Sequence, residues 1–375
     1  MRDLNPVNGL PFSQNARPFL YGGELDAVAA VLDSGQYGHG EVTEHFERAV
    51  ADLLGVPDVV AVASGTAALH MALAVANIGP GDEVIVPSMT FCATVQAIRA
   101  CGARARFAEV SPDTLCITGR DVMDTLTPST RAVVPVLYGG RAADLSDIHE
   151  TLADRGIAIV EDAAHAFGSR YGGGRVGAAG LLTCFSFGPI KNVTCGQGGA
   201  LVPRTPEEAM RVRRMRLLGM AESPAERARS ASYRVEGFGV RAHLSQINAA
   251  IGLAQLANFP VLEAKRKQLW RQYESALTSV SGVRLVDVDV DRSVPSLCAV
   301  RVPDRDRVFH ALQACGIGAG VHYPPNHLQP AFARWHRPLP VTERIGEEIL
   351  TLPFHQLMGA DEVRTVVSAL EGALR

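Results

Sequence analysis

Between residues 58 and 202 the chain alternates short apolar runs with helix-like segments, and this limits its architecture more than any other feature. The runs fall at 58–64, Glu83–Pro87, 104–110, 132–138, 157–161, 181–187 and 200–202. Most are rich in valine, isoleucine and alanine, and several lack the in–out alternation of a strand with one wet face, so they read as strands buried on both sides. Helical patterns at 94–100, 119–126 and 145–155 stand between many of them. Such an alternation predicts a mainly parallel sheet sandwiched by helices. Ligands of such sheets gather beyond the carboxyl ends of the strands. Ser64, Asp162 and Ser186 all fall at or near those ends.

The flanking regions read differently. Helices are predicted at 23–34 and 42–54, joined by the glycine-rich turn 35–40. Tyr37 and His39 in that turn are candidate substrate contacts, although a plain helix–helix connection accounts for the glycines equally well. Ser64-Gly65-Thr66 opens a helix reaching about residue 76. Small residues there let backbone N–H groups approach an anion at the positive helix end, and the same triplet also serves as an ordinary helix cap. Beyond residue 204 the character changes: 204–234 is rich in Arg, Glu and Ala, with four arginines within 211–216, and predicts a solvated helix and loop. An apolar helix is predicted at 244–256, and beyond it helices at 262–278, 305–315 and 361–374 with strands at 284–288 and 296–302 predict a smaller α+β domain. The expected division is 1–255 and 256–375.

Several function classes are disfavoured. With 36 basic and 39 acidic residues and a net charge of −3, nothing points to nucleic acid. No apolar run approaches a membrane span, and the first residues lack the apolar core of a signal peptide. Seven cysteines, with no C-x-x-C pair, suit a reducing cytoplasm better than a disulfide framework or zinc site. The stretch 172–177 matches G-x-G-x-x-G literally, but it lacks the preceding strand and following helix of a dinucleotide site and predicts a hairpin-like turn. His322 and His327 are separated by Pro324-Pro325, with no carboxylate or thiol close by in sequence, so no metal is expected there.

The lysines carry the chemistry. Among 36 basic residues only Lys191, Lys265 and Lys267 are lysine. A guanidinium stays charged and cannot form an imine, whereas an ammonium loses its proton readily once desolvated. Lys265 and Lys267 lie on a charged helix face, while Lys191 follows a near-neutral run that would bury it and lower its pKa. A chance lysine in a surface loop gives the same pattern. If the imine is made with pyridoxal phosphate, the protein must also supply an anion for the ring nitrogen, donors for the phosphate and a wall for the ring. Asp162 is the candidate anion, Ser186, Gly65 and Thr66 are candidate phosphate donors, and Phe91 could cover the ring or simply pack in the core.

These residues, together with Gly79-Pro80-Gly81-Asp82-Glu83, Glu161-Asp162-Ala163-Ala164-His165, Gly198-Gly199-Ala200 and Asn248-Ala249-Ala250-Ile251-Gly252, resemble the pyridoxal-phosphate-dependent sugar aminotransferases of the DegT/DnrJ/EryC1/StrS family nearly end to end. The resemblance implies the type I fold of aspartate aminotransferase. It implies Lys191 as imine former, Asp162 at the ring nitrogen, His165 beside the phenolic oxygen, and Gly65, Thr66 and Ser186 on the phosphate, with Phe91 against the ring. It further implies a homodimer with shared active sites, in which Arg241 replaces an Asn that commonly reaches the partner's phosphate. A lysine at position 191 favours transamination over the dehydration performed by family members that lack it. The implied reaction moves an amino group from an amino acid, glutamate first, through an internal aldimine and pyridoxamine phosphate to a nucleotide-linked keto sugar. A cyclitol or other cyclic ketone, or a cofactor-binding protein without turnover, are the alternatives. Tyr37, His39, Tyr323 and His327 are the candidate substrate residues.

Overall fold

The computed structural model describes residues 9–222, 226 and 229–375. Seven strands form the large sheet: β1 (Val60–Val62), β2 (Glu83–Pro87), β3 (Arg104–Ala108), β4 (Thr130–Val133), β5 (Ala158–Asp162), β8 (Leu182–Ser186) and β9 (Gly199–Val202). The short β6 (Arg170–Tyr171) and β7 (Gly174–Arg175) stand apart as a hairpin. Their turn uses Gly172 and Gly173 at φ 56° and 88°, backbone that glycine adopts without strain. The G-x-G-x-x-G stretch is thus the predicted turn.

The sheet order is β1-β9-β8-β5-β4-β2-β3. All neighbours pair in parallel except β9, which runs antiparallel to both β1 and β8. Helices cover the sheet, and β1, β2, β4, β5, β8 and β9 are nearly or wholly buried, as their continuous apolar character requires. The predicted strand at 132–138 stops at Val133, because Pro135 brings no N–H to the ladder. The chain continues instead as a turn over Tyr138–Gly140.

A second, three-stranded sheet follows: β10 (Arg284–Leu285), β11 (Cys298–Arg301) and β12 (Ile349–Leu352), with β11 in the middle. Strand β12 and the helix Pro340–Glu348 before it lie where the sequence pattern predicts no element. Helices Phe259–Leu277, Arg305–Ala314 and Ala360–Leu374 pack on this sheet around Trp270, Tyr273 and Phe354. The N-terminal segment belongs to this core as well. Phe12 packs against it, Asn15 donates to the Thr351 carbonyl at 2.9 Å, and Phe354 N–H donates to the Asn15 carbonyl at 2.8 Å. These first residues thus pack against the second sheet.

The arginine-rich stretch departs furthest from expectation. Helix Pro206–Met215 forms, but Arg216 just after it is 2% exposed and pairs with Glu47. Arg213 holds Asp58 through two hydrogen bonds of 2.8 and 2.6 Å. These guanidiniums lock the helix to β1 and the helix Glu41–Leu54 rather than facing solvent. Residues 223–225 and 227–228 of the predicted loop lie outside the described residues.

Candidate active site

At the carboxyl ends of β1, β5 and β8 lies a cleft of about 350 Å³ lined by Ser64, Gly65, Thr66, Phe91, Thr94, Asp162, His165, Ser186, Lys191 and Tyr323. Larger hollows exist elsewhere, but this one gathers the chemistry at the end of the sheet where α/β folds bind ligands.

One end of the cleft is a backbone cradle. Ser64 caps the helix Gly65–Val75, its hydroxyl accepting from the Ala67 N–H at 3.1 Å. The first amides of that helix face the anion side of its dipole. The spacing here requires glycine. A Cβ on Gly65 would stand 2.9 Å from the Ser186 Cβ, and one on Gly199 would stand 2.4 Å from the Ser64 carbonyl carbon. Helix end, Ser186 and β9 therefore close together around a space bounded by amides and hydroxyls, the donor set that a phosphate takes.

At the centre stands Asp162, the last residue of β5, 5% exposed. One carboxylate oxygen accepts from the Thr94 hydroxyl at 2.7 Å and the other from the Ala164 N–H at 3.2 Å. Burial pushes its pKa up, and the Thr94 and Ala164 bonds and the Lys191 charge oppose that rise. Glu161, its neighbour, points to the other face of the strand, where Thr183 donates to it at 2.6 Å. Strand periodicity alone decides which of the two carboxylates reaches the cleft.

Lys191 enters from the loop between β8 and β9. The loop is pinned at its base by the Phe187 N–H on the Gly198 carbonyl at 2.8 Å and by the Cys195 N–H on the Phe187 carbonyl at 3.0 Å. Beside the lysine, the Asn192 amide donates to the Val294 carbonyl at 3.0 Å. Burial lowers the Lys191 amine from its ordinary 10.5 to about 8, against the opposing pull of Asp162. Near neutrality a useful fraction of this amine is unprotonated and nucleophilic.

His165 and Tyr323 form the opposite wall, ring centroids 5.9 Å apart and nearly stacked. His165 Nδ1 faces the Gly139 N–H at 3.4 Å, and Nε2 meets the Tyr323 hydroxyl at 3.0 Å. Burial, then the Lys191 and His322 charges, drive the imidazole pKa far down. The ring is therefore neutral, with Nδ1 accepting from the backbone and Nε2–H donating to Tyr323. Phe91 lines the rim, 57% exposed and 5.7 Å from the Tyr323 ring. A residue so open to the cleft is not core packing.

Other predicted residues sit elsewhere. His327 is buried away from the cleft, held by Ser88 at 2.7 Å and Glu343 at 3.2 Å, so its assignment to substrate does not fit this geometry. Tyr37 is half exposed and donates to the Leu32 carbonyl at 3.2 Å. His39 meets Arg216 at 2.9 Å, and with Arg241 it lines a separate hollow. In its own chain none of these three reaches Lys191. Conversely, Thr94 and Gln197 line the cleft although sequence reasoning passes over them, and so does His322, weighed there only as a metal ligand. Thr94 stands four residues after Thr90, whose hydroxyl it meets at 2.8 Å, and that one-turn spacing was the only available signal.

The model of the DegT/DnrJ/EryC1/StrS aminotransferase family matches residues 21–371. This chain belongs to that family. Its fold is shared with the aminotransferase TlmJ from Streptoalloteichus hindustanus (35% identity, 96% of this chain and 98% of that one, TM-score 0.90). It is likewise shared with S. venezuelae DesV, solved in complex with a ketimine intermediate (36%, 96% and 100%, TM-score 0.88). A 3-amino-5-hydroxybenzoic acid synthase is also similar (28%, 96% and 98%, TM-score 0.88). Another solved relative has been captured in pyridoxal and pyridoxamine phosphate forms. The chain is a pyridoxal-phosphate-dependent aminotransferase of type I fold. The cradle, the buried carboxylate and the low-pKa amine fit that cofactor's phosphate, ring nitrogen and aldehyde respectively.

Proposed function

We propose that this aminotransferase moves an amino group from an amino acid, glutamate in the first instance, to the ketone of a nucleotide-linked sugar. The observation that carries the chemistry is Lys191, its amine pushed to about 8, in the same cleft as the buried Asp162. When bound, the cofactor supplies an electron sink for the carbon that loses its proton. The protein residues do the rest. Asp162, kept anionic by Thr94 and Ala164, holds a proton on the ring nitrogen. Gly65, Thr66 and Ser186 would hold the phosphate, Phe91 would stand against the ring and His165 beside its phenolic oxygen. Lys191 would hold the cofactor's aldehyde and, as a free amine, would move a proton at the substrate carbon. Tyr323, fixed by neutral His165, presents its hydroxyl to the substrate side.

We further propose that the active form is a homodimer. Tyr37, His39 and Arg241 lie away from their own cleft, and the segment leading to Arg241 exposes Tyr233, Val235, Phe238 and Val240, apolar side chains that a second copy would cover. A large unit and a smaller one built on β10–β12, meeting near Phe259, remains the domain division we favour, with the first residues assigned to the smaller unit.

Similarity to a synthase whose product is an aminated carbocycle supports a second reading, in which the acceptor is a cyclic ketone outside the sugars. The protein is converted to its aminated form with glutamate, freed of donor, and mixed with a nucleotide-linked keto sugar or with a free cyclic ketone. Return of the pyridoxal absorbance with the nucleotide sugar alone is expected. Return with the free ring alone establishes the second reading, and failure of every amino donor to bleach the cofactor refutes both.

A further inference from the structure

Behind the cleft wall, away from Lys191, three side chains from separate elements converge. His327 lies in the turn Asn326–Leu328, His336 follows the turn Pro330–Trp335, and Glu343 stands in the first turn of helix Pro340–Glu348. One ligating atom from each lies within 4.8 Å of the other two. His327 Nε2 and Glu343 Oε1 are 3.2 Å apart. The edge of a tetrahedron around zinc, with bonds of about 2.05 Å, is about 3.3 Å.

We propose that His327, His336 and Glu343 form a binding site for a divalent transition-metal ion, zinc in the first instance, separate from the active site and completed by water. Two imidazoles and one carboxylate are the donor set of zinc, nickel or cobalt; calcium and magnesium require oxygen ligands that are not assembled here. The set is also held in place. The His327 ring is buried, 6.2 Å from the Phe107 ring and 2.7 Å from the Ser88 hydroxyl. The Leu339 N–H donates to the Glu343 carboxylate at 2.9 Å and fixes its position. Phe332 and Trp335 stack with 8° between their planes and stiffen the turn that delivers His336. His336 is exposed and its ring lies 5.6 Å from that of His327, so the site opens on one side to admit an ion and its water.

The surrounding charges favour a cation. The Glu109 carboxylate accepts from the Val341 and Thr342 N–H groups at the start of the Glu343 helix. The nearest guanidinium on the same segment, Arg337, is directed to the Phe107 carbonyl and Thr125. The protons also balance. Without an ion, Nε2–H donates to Glu343 and the Ser88 hydroxyl donates to Nδ1. With one, the ring proton stands on Nδ1 and is donated to Ser88 Oγ, leaving the Nε2 lone pair for the metal and the ring neutral. An ion so held ties the start of helix Pro340–Glu348 to the turn whose Asn326 donates to the Thr90 carbonyl at 2.6 Å.

The cofactor-loaded protein, stripped with a chelator, is titrated with Zn²⁺ by calorimetry and with Co²⁺ by visible absorption. One ion per chain is expected, with ligand-field bands typical of a low-coordinate nitrogen–oxygen site. His336→Ala and Glu343→Gln should each weaken binding by at least about tenfold. His327 is left intact, because its removal strands Ser88 and Glu343. Absence of stoichiometric uptake overturns the proposal, as does an ion that persists unchanged in the His336→Ala/Glu343→Ala double variant.

Discussion

Two buried acid–base pairs share this molecule and do opposite work. Near β1, Glu47 accepts from the Ala61 N–H at 2.8 Å and is clasped by Arg216, which also donates to the Ala61 carbonyl at 2.6 Å. At the end of β5, Asp162 accepts hydrogen bonds from Thr94 and Ala164, and Lys191 feels it only through charge. The first pair is closed and its cation is permanent, so it can only hold parts together. The second is open, and its cation can shed a proton and become a nucleophile. Burial of opposite charges does not identify a functional site; a base free to change its protonation state does.

Removing each base separates the two roles. Lys191→Ala should cost on the order of 10⁴-fold in turnover, the upper end for loss of a group that also transfers protons. It should also abolish the borohydride-stable link to the cofactor, read by mass. An intact link in that variant places the reactive amine elsewhere. Arg216→Met should leave that link intact and lower unfolding free energy by about 3–5 kcal/mol, the cost of stranding one buried charge. The double change Glu47→Gln/Arg216→Met should recover part of this. Urea unfolding measures both, and equal loss in the single and double variants would show that the pair is not the cause.

The smallest effect is one of pH. With the Lys191 amine at about 8, roughly one-tenth of it is free at pH 7. Capture of pyridoxal phosphate by cofactor-free protein should therefore speed up about tenfold per pH unit below 8 and level off above. Stability of the cofactor-free protein should follow the same group. Between about 8 and 10.5 the unfolded chain binds more protons than the folded one, so stability rises with pH across that window. A capture rate that keeps rising tenfold per unit past pH 8 to about 10 would show an amine left at its ordinary value.

The large sheet was legible because its strands are apolar on both faces and its ligand side follows from topology. Asp162 and Lys191 stand out because each is unusual in its neighbourhood, a carboxylate ending an apolar strand and a rare lysine among arginines, and the structure brings both to one cleft. Where the outcome depended on long-range packing, the sequence misled. Arg216 reads as one more solvated arginine until Glu47, far off in the chain, is folded against it. His327 looked like a substrate residue because its partner, Glu343, arrives on a helix the pattern did not announce. Strand β12 went unseen because four residues between a helix and Pro353 offer too little periodicity to read.

The bond between Asn15 and Thr351 joins a very early part of the chain to a very late one. Thr351 also meets His322 at 2.8 Å, and His322 lines the cleft. While the polypeptide is being made, Lys191 leaves the ribosome long before the residues that buttress this wall. Cofactor capture into the finished pocket must therefore await the emergence of β12.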